Sequence, residues 1–359
     1  MKKLIQVDEI KKIQKVKLVS LPALEKIFRL YEITPSSNVF IWTDFGKTIA
    51  PRIAKTIYLE LKKLGCGVSL IVDPPRSNIS PAPKKTINTI LSLSKDEVFI
   101  SVGSGNRGHI VVDGKQVLMR DLMKKNGFRM ISLGGLSSLN PKKVNEFLNA
   151  FDHDEKEVKE LNEKIKSLMS VAKKIKITCK NGSNLELNLD NSREVICNDA
   201  NWRAYSTNYP VGEVYTAPIE NSANGVIFVT SAKISGSTIV SKKPIKFIFK
   251  NGVLVSTDSK KVNDNLRYVE KVNKLKKISD YKIKVRTIAE FAIGTNRKAT
   301  IVGAMICDEK VLGTIHFAIG NNMHLGGSNY CHGHFDNVVI KPTVYFDNKK
   351  IMEKGKLII

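Results

Sequence analysis

Long apolar runs, aromatic residues, cysteines and acids are all scarce in this chain. No stretch of the 359 residues approaches the ~18 consecutive apolar residues needed to span a membrane. A membrane-embedded protein is therefore not expected. The cysteines number five, an odd count, and they are scattered with no Cys-x-x-Cys pair. That excludes a disulfide framework and points to a reducing compartment. Acids number 34 against 58 Lys and Arg, a net charge of +24. Such an excess invites a nucleic-acid reading. However, the lysines come in scattered pairs such as Lys62-Lys63, Lys84-Lys85 and Lys242-Lys243, as solvated helix faces and turns require. They are not interleaved with aromatics as in a nucleic-acid module, and aromatics make up only 7% of the chain. Specific nucleic-acid binding is not expected. The opening segment MKKLIQVDEIKKIQKVKLVS is broken by Asp8, Glu9 and several lysines and lacks the apolar core of a signal peptide. The expected location is the cytoplasm.

What is present describes a folded protein. Apolar residues make up 42%, and the length leaves room for two domains with their own cores. The first ~150 residues alternate strand and helix signals. Short apolar runs at Asn38–Thr43, Val68–Val72, Glu97–Val102 and Phe128–Leu133 read as strands. Ile53, Ile57, Leu61 and Leu64 share one side of a helix that Gly65 closes, and Lys85–Leu93 reads as another. This alternation predicts an α/β domain of parallel βαβ units over 1–150. The charged helical stretch that follows reads as a connector, 151–166. Beyond it, short strands and turns predict a mainly β (α+β) domain over 167–359, with Asn-Gly hairpin signals at Asn181-Gly182 and Asn251-Gly252 and a helix near Asn265–Lys277.

One motif misleads. Gly103-Ser-Gly-Asn-Arg-Gly108 fits G-x-G-x-x-G after a strand, but a dinucleotide fingerprint needs a helix next. The following His109-Ile-Val-Val-Asp-Gly-Lys-Gln-Val reads as a hairpin, so the glycines are taken as turn residues. His109 and His153 lack neighbouring metal partners in sequence and read as surface or packing residues.

The informative residues lie in the C-terminal half. Glu213, Glu290, His316, His334 and Asp336 each sit in an apolar, strand-like or Gly-bounded frame, and four of the six histidines fall between His316 and His334. Ionisable groups in apolar surroundings are costly unless paired. Single cases are satisfied by hydrogen bonds, but five together are best paired by a divalent metal. Residues two apart on a strand share a face, so His332, His334 and Asp336 are expected to project together. Two His and one carboxylate form a mononuclear iron pattern, and adding Glu213 and Glu290 gives enough ligands for two ions. Cys331 beside them reads as a small packed side chain.

Four segments carry a family resemblance in order: Asn208-Tyr-Pro-Val-Gly-Glu-Val-Tyr-Thr-Ala-Pro218, Glu290-Phe-Ala-Ile-Gly-Thr-Asn296, Asp308-Glu-Lys-Val-Leu-Gly-Thr-Ile-His-Phe-Ala-Ile-Gly320, and Gly326-Gly-Ser-Asn329 through His334-Phe-Asp336. The chain resembles the metallopeptidases of the aminopeptidase T and aminopeptidase S type. The resemblance implies a homodimeric hydrolase acting on peptides. It implies one or two divalent ions (Zn, Co or Mn) on Glu213, Glu290, His316, His334 and Asp336, with Glu213 or Glu290 as the proton-handling carboxylate. Members of the family add a Tyr seven residues after the first His, where this chain has Met323, and His324 or His332 would have to stand in. A relative on the same scaffold is a mononuclear Fe(II) dioxygenase that opens dihydroxypyridine rings, and it uses the His316, His334 and Asp336 subset.

Overall fold

A computed structural model describes residues 8–76, 80–105, 107–204 and 207–359. Residues 1–7 of the segment inspected for a leader, and Asn106 of the glycine-rich run, lie outside them. The chain divides into two compact units. One runs up to Asp152 and takes back Ala200–Pro210; the other is His153–Asp199 with Val211–Ile359.

The strands of the first unit are β1 (Asn38–Asp44), β2 (Gly67–Asp73), β3 (Val98–Val102), the short hairpin β4 (Ile110–Val112) with β5 (Lys115–Val117), and β6 (Arg129–Leu133). Four of them form a parallel sheet in the order β2-β1-β3-β6. Six of the seven residues of β1 and of β2 are buried, as a parallel sheet covered on both faces requires. The helices are α1 (Leu24–Leu30), α2 (Ala50–Leu64), α3 (Lys84–Ser92), α4 (Met119–Asn126) and α5 (Val144–Asn149). Helix α2 starts with Pro51 in its first turn and buries Ile53, Ile57 and Leu61; Gly65 closes it at φ +93°. Leu64, expected on the same side, is 37% exposed. The glycine-rich run leads into the β4–β5 hairpin, whose turn residues Asp113 and Gly114 have φ of +48° and +74°. No helix follows to receive a pyrophosphate.

The second unit begins with α6 (Glu155–Met169) and continues through β7 (Lys174–Thr178), β8 (Asn184–Asn188), β9 (Ile196–Asn198), β10 (Glu213–Thr216), β11 (Asn224–Ile234), β12 (Ser237–Lys250) and β13 (Val253–Thr257). Helices α7 (Lys260–Leu275) and α8 (Tyr281–Arg286) precede β14 (Ile288–Gly294); α9 (Met305–Asp308) precedes β15 (Thr314–Gly320). The chain ends with β16 (His334–Ile340), β17 (Thr343–Phe346), β18 (Lys349–Glu353) and β19 (Lys356–Leu357). Among the described residues they make a 13-stranded sheet, in the order β19-β18-β17-β7-β8-β11-β16-β15-β14-β10-β9, with β12 and β13 attached through β11. Asn251 and Gly252 turn β12 into β13 with positive φ at both positions, the backbone that Asn-Gly favours.

Helix α6 corrects the expected connector. Its Val158, Asn162, Ile165 and Met169 are buried, at the i, i+4, i+7, i+11 spacing of one helix face. Asn162 donates to the Asn198 carbonyl oxygen and accepts from Thr295. The helix is therefore part of the second unit. Its charged residues line its solvent face, which is why the sequence there reads as a linker.

Candidate metal centre

Four adjacent antiparallel strands, β10, β14, β15 and β16, carry the site. Their opposite faces differ sharply. On one face Phe291, Ile293, Ile315, Phe317, Ile319, Phe335 and Val339 join the hydrophobic core, where Phe317 meets Phe247 and Phe249 edge-on at 5.9 and 5.6 Å. The alternating residues on the other face are Glu290, His316, His334 and Asp336, joined by Glu213 from β10. The register explains how they fit. Glu213 pairs across with Gly294, His316 with Ala292, His334 with Gly320, and both Glu290 and Asp336 with Ala318. Directly opposed Cβ atoms lie only ~4.5–5.5 Å apart. An Ala or Gly across from each ionisable side chain in one neighbouring strand therefore leaves room on that side for it to lean inward, while Asn198 and Val338 stand across from Glu213 and His316 on the other side.

The five expected residues converge. His316 Nε2 lies 3.3 Å from Glu213 Oε2 and 3.2 Å from Glu290 Oε1. His334 Nε2 lies 3.1 Å from Glu290 Oε2 and 3.0 Å from Asp336 Oδ1. Glu213, Glu290, His316 and Asp336 are buried; His334 is partly exposed. His334 donates from Nδ1 to the Asn321 carbonyl oxygen at 2.7 Å. A carbonyl can only accept, so Nδ1 carries a proton and Nε2 is the nitrogen turned toward the carboxylates. Among the described residues the buried His316 Nδ1 has no hydrogen-bond partner, and the polar contacts of that ring run through Nε2.

Three further charged groups, missed in the sequence, complete the cluster. Lys310 is fully buried, with Nζ 2.5 Å from Glu213 Oε1 and 2.5 Å from Glu309 Oε1. Lys233 on β11 donates to Asp336 Oδ2 at 2.7 Å. A pair of lysines in a chain this rich in lysine carries no signal; only the quoted Asp308-Glu-Lys310 segment lay near the motifs. Electrostatics follows from this packing. Burial works to raise the Glu213 carboxyl, but the Lys310 ammonium and His316 hold it below the usual range. Burial likewise opposes ionisation of Glu290, which the two imidazoles nonetheless hold down at about 2. Asp336 is held well below the ordinary value, with Lys233 and His334 overcoming its burial. Burial would lower both imidazoles. Glu213 and Glu290 instead raise His316, and Asp336 and Glu290 raise His334, each to about 10. Glu309 is pushed up by burial, to about 7.

The remaining candidates separate. His324, beside Met323, brings its ring to 5.0 Å from that of His334; its ligating atom lies within 4.8 Å of those of Glu290 and His334. Met323 itself is 45% exposed. His332 does not share the face of His334 and Asp336. The strand begins at His334, and Gly333 at φ +129° breaks the alternation before it. The His332 amide instead donates to Asn273, and its ring lies by Tyr330. Cys331 is packed in the core, its thiol pushed up by burial to about 12. His153 is buried and His109 sits at a bridge with Pro81; neither falls in a metal-binding group among the described residues.

The donor set fits a divalent ion. Two groups satisfy the spatial test, Glu290 with His324 and His334, and Glu213 with Glu290 and His316. Imidazole nitrogens and carboxylate oxygens about 3 Å apart are spaced as neighbouring ligands on an ion with bonds of ~2.0–2.2 Å. Glu290 belongs to both groups.

Comparison with known proteins supports this chemistry. The chain resembles the solved structure of a 2,5-dihydroxypyridine dioxygenase from Pseudomonas putida KT2440, with a TM-score of 0.67, 14% identity, and coverage of 93% of this chain and 95% of that one. It also resembles wild-type AmpT from Thermus thermophilus, with a TM-score of 0.62, 12% identity, and coverage of 94% and 100%. At these identities the likeness establishes the fold. A search of curated protein sequences finds no match. The thermophilic metalloprotease (M29) model matches residues 148–329, which spans α6 to the loop after β15 and includes Glu213, Glu290 and His316. With more than half its length under that model, the chain belongs to the thermophilic metalloprotease family.

Proposed function

We propose that the chain is a metal-dependent aminopeptidase releasing amino-terminal residues from short peptides. The observation that carries this reading is the convergence of Glu213, Glu290, His316, His334 and Asp336 on one face of four neighbouring strands. Glu290, His316, His334 and Asp336, with Glu213, are the residues that would hold the metal. When bound, a divalent ion supplies Lewis acidity toward the scissile carbonyl and makes water a stronger nucleophile near neutral pH.

The chain's own groups do the rest. The water oxygen adds to the carbonyl carbon, the C–N bond breaks, and the proton lost by water reaches the departing amine. Glu213 or Glu290 carries that proton, being the buried carboxylates at the centre of the cluster. The free α-amino group of a substrate carries a positive charge that this acidic face attracts, which is the source of amino-terminal preference. Ring opening by a mononuclear iron is the second reading; the likeness to the dioxygenase and the His316, His334 and Asp336 subset favour it. It gives Glu213 no task, although Glu213 lies inside the cluster.

The test uses short peptides with free and acetylated amino termini, supplied with cobalt, zinc or manganese. Cleavage confined to the free peptides is expected. Both peptides intact across that series, together with oxygen uptake on a dihydroxypyridine with Fe(II), would overturn the proposal.

A further inference from the structure

We infer that Lys310 stands in place of a second metal ion, so that the chain holds one divalent ion per protomer, on the Glu290, His334 and Asp336 side. This rests on the metal-centre reading above and specifies its stoichiometry. The two candidate groups share Glu290, a layout that would suit a bridged pair of ions. The fully buried ammonium of Lys310, however, lies against the Glu213 half, 2.5 Å from Glu213 Oε1. An ammonium has only donors and cannot coordinate a metal.

Its position is built into the backbone. Lys310 and Val311 cross directly over Gly294, the cross-strand partner of Glu213. A Cβ on Gly294 would come within 2.3 Å of the Val311 carbonyl oxygen and 2.9 Å of the Lys310 carbonyl carbon. The Lys310 carbonyl accepts from Asn296 N at 2.8 Å. Glu309, its neighbour in sequence, closes on the same ammonium from the other side. The lysine is thus clamped between two carboxylates by a segment that only glycine at 294 admits.

Lys310 already brings to Glu213 the positive charge that a second ion would supply, and adding further uncompensated charge to a buried cluster is strongly disfavoured away from water. The remaining half, with Glu290, His334 and Asp336 Oδ1 within 3.1 Å of their neighbours and His324 beside them, is the half free of lysine at its donor atoms: Lys233 holds only the outer oxygen of Asp336. On this inference Glu213, tied to Lys310, leaves the ligand set given above and keeps only the proton-carrying role.

The experiment counts metal on the full chain, by plasma mass spectrometry after zinc loading and dialysis and by the visible spectrum during Co(II) titration. Wild type is expected to saturate at one equivalent. Glu213→Gln should keep that equivalent while losing turnover, and His334→Ala should lose it. Lys310→Met, which frees Glu213, should take up a second. Two equivalents in wild type, loss of the ion in Glu213→Gln, or a folded Lys310→Met that stays at one would each overturn the inference and leave the peptidase reading standing. No metal in wild type would overturn both. If Lys310→Met does not fold, the wild-type count and Glu213→Gln still decide.

Discussion

Both sheets bury carboxylates, and the two sets are treated in opposite ways. At the ends of β1 and β2, Asp44 accepts from Ser104 N, Ser104 Oγ and Gly46 N at 2.7, 2.6 and 2.9 Å, and Asp73 accepts from Trp42 Nε1 and Thr86 Oγ1 at 2.8 and 2.7 Å. Every one of these donors is neutral. They tie neighbouring segments to the strand ends. In the second unit the carboxylates of the metal cluster face imidazoles and ammonium groups, with Ala or Gly across from each in one neighbouring strand, whereas Asp308, which accepts from Ser231, Val302 and Gly303, follows the first pattern. Neutral donors make a buried carboxylate a structural tie. Cationic and metal-ligating partners, with space left beside them, make it a centre for chemistry.

The largest break in that comparison comes from the cluster. His334→Ala removes the nitrogen that Asn321 orients, so zinc binding should be lost and peptide turnover should fall on the order of 10³-fold or more, about 4 kcal/mol of transition-state stabilisation. Zinc should raise the melting temperature of wild type and leave that of the variant unchanged. Equal stabilisation of both proteins by zinc would remove His334 from the site.

The reverse face of the same strands should respond in stability alone. Phe317→Ala deletes a fully buried ring packed against Phe247 and Phe249, at a cost of about 3–5 kcal/mol. Urea unfolding measures it, and metal stoichiometry of the folded fraction should not change. Asp44→Ala strands the Ser104 and Gly46 donors and should cost about 1–3 kcal/mol, again with metal binding intact. If Asp44→Ala lost metal while still folded, the distinction between the two sets of carboxylates would fail.

The parts of the site legible in the sequence were those whose signal is local. Glu290 and His316 stand out because each interrupts an apolar strand bounded by glycine, and period-2 alternation then assigns them a face. The cross-strand partners were not legible, since pairing Ala318 with both Glu290 and Asp336 is a long-range outcome of register. Lys310 and Lys233 were hidden by composition: among 58 basic residues nothing local marks the two that turn inward. His332 misled because alternation was extended through Gly333, where a positive φ ends it. Helix α6 misled because its exposed charges outnumber the four buried residues that dock it. The parallel sheet of the first unit read correctly because both its faces are buried and its strands are nearly uninterrupted apolar runs.

The smallest expected effect sharpens the comparison at its boundary, where a carboxylate of the second unit is used structurally. Glu220 binds the Arg193 guanidinium through Oε2 at 2.8 Å, and through Oε1 it holds Asn322 Nδ2 and Ser328 N at 2.9 and 2.8 Å. It thereby fixes the loop that carries His324. Burial works to raise its carboxyl, but Arg193, Ser328 and Asn322 together bring it down to about 2. A depressed carboxylate stabilises the fold above its ordinary value of 4.5, and that contribution disappears as pH falls through about 2. With water still reaching the group, the effect is on the order of 1–2 kcal/mol. Glu220→Gln should therefore lose stability relative to wild type at pH 6 to 7, with the gap narrowing progressively below pH 4.5. Urea unfolding of the two proteins across that range measures the gap. A difference of the same size at pH 3 and pH 7 would mean that the amide loses packing or hydrogen-bond geometry, and that the carboxylate charge is not what holds the loop.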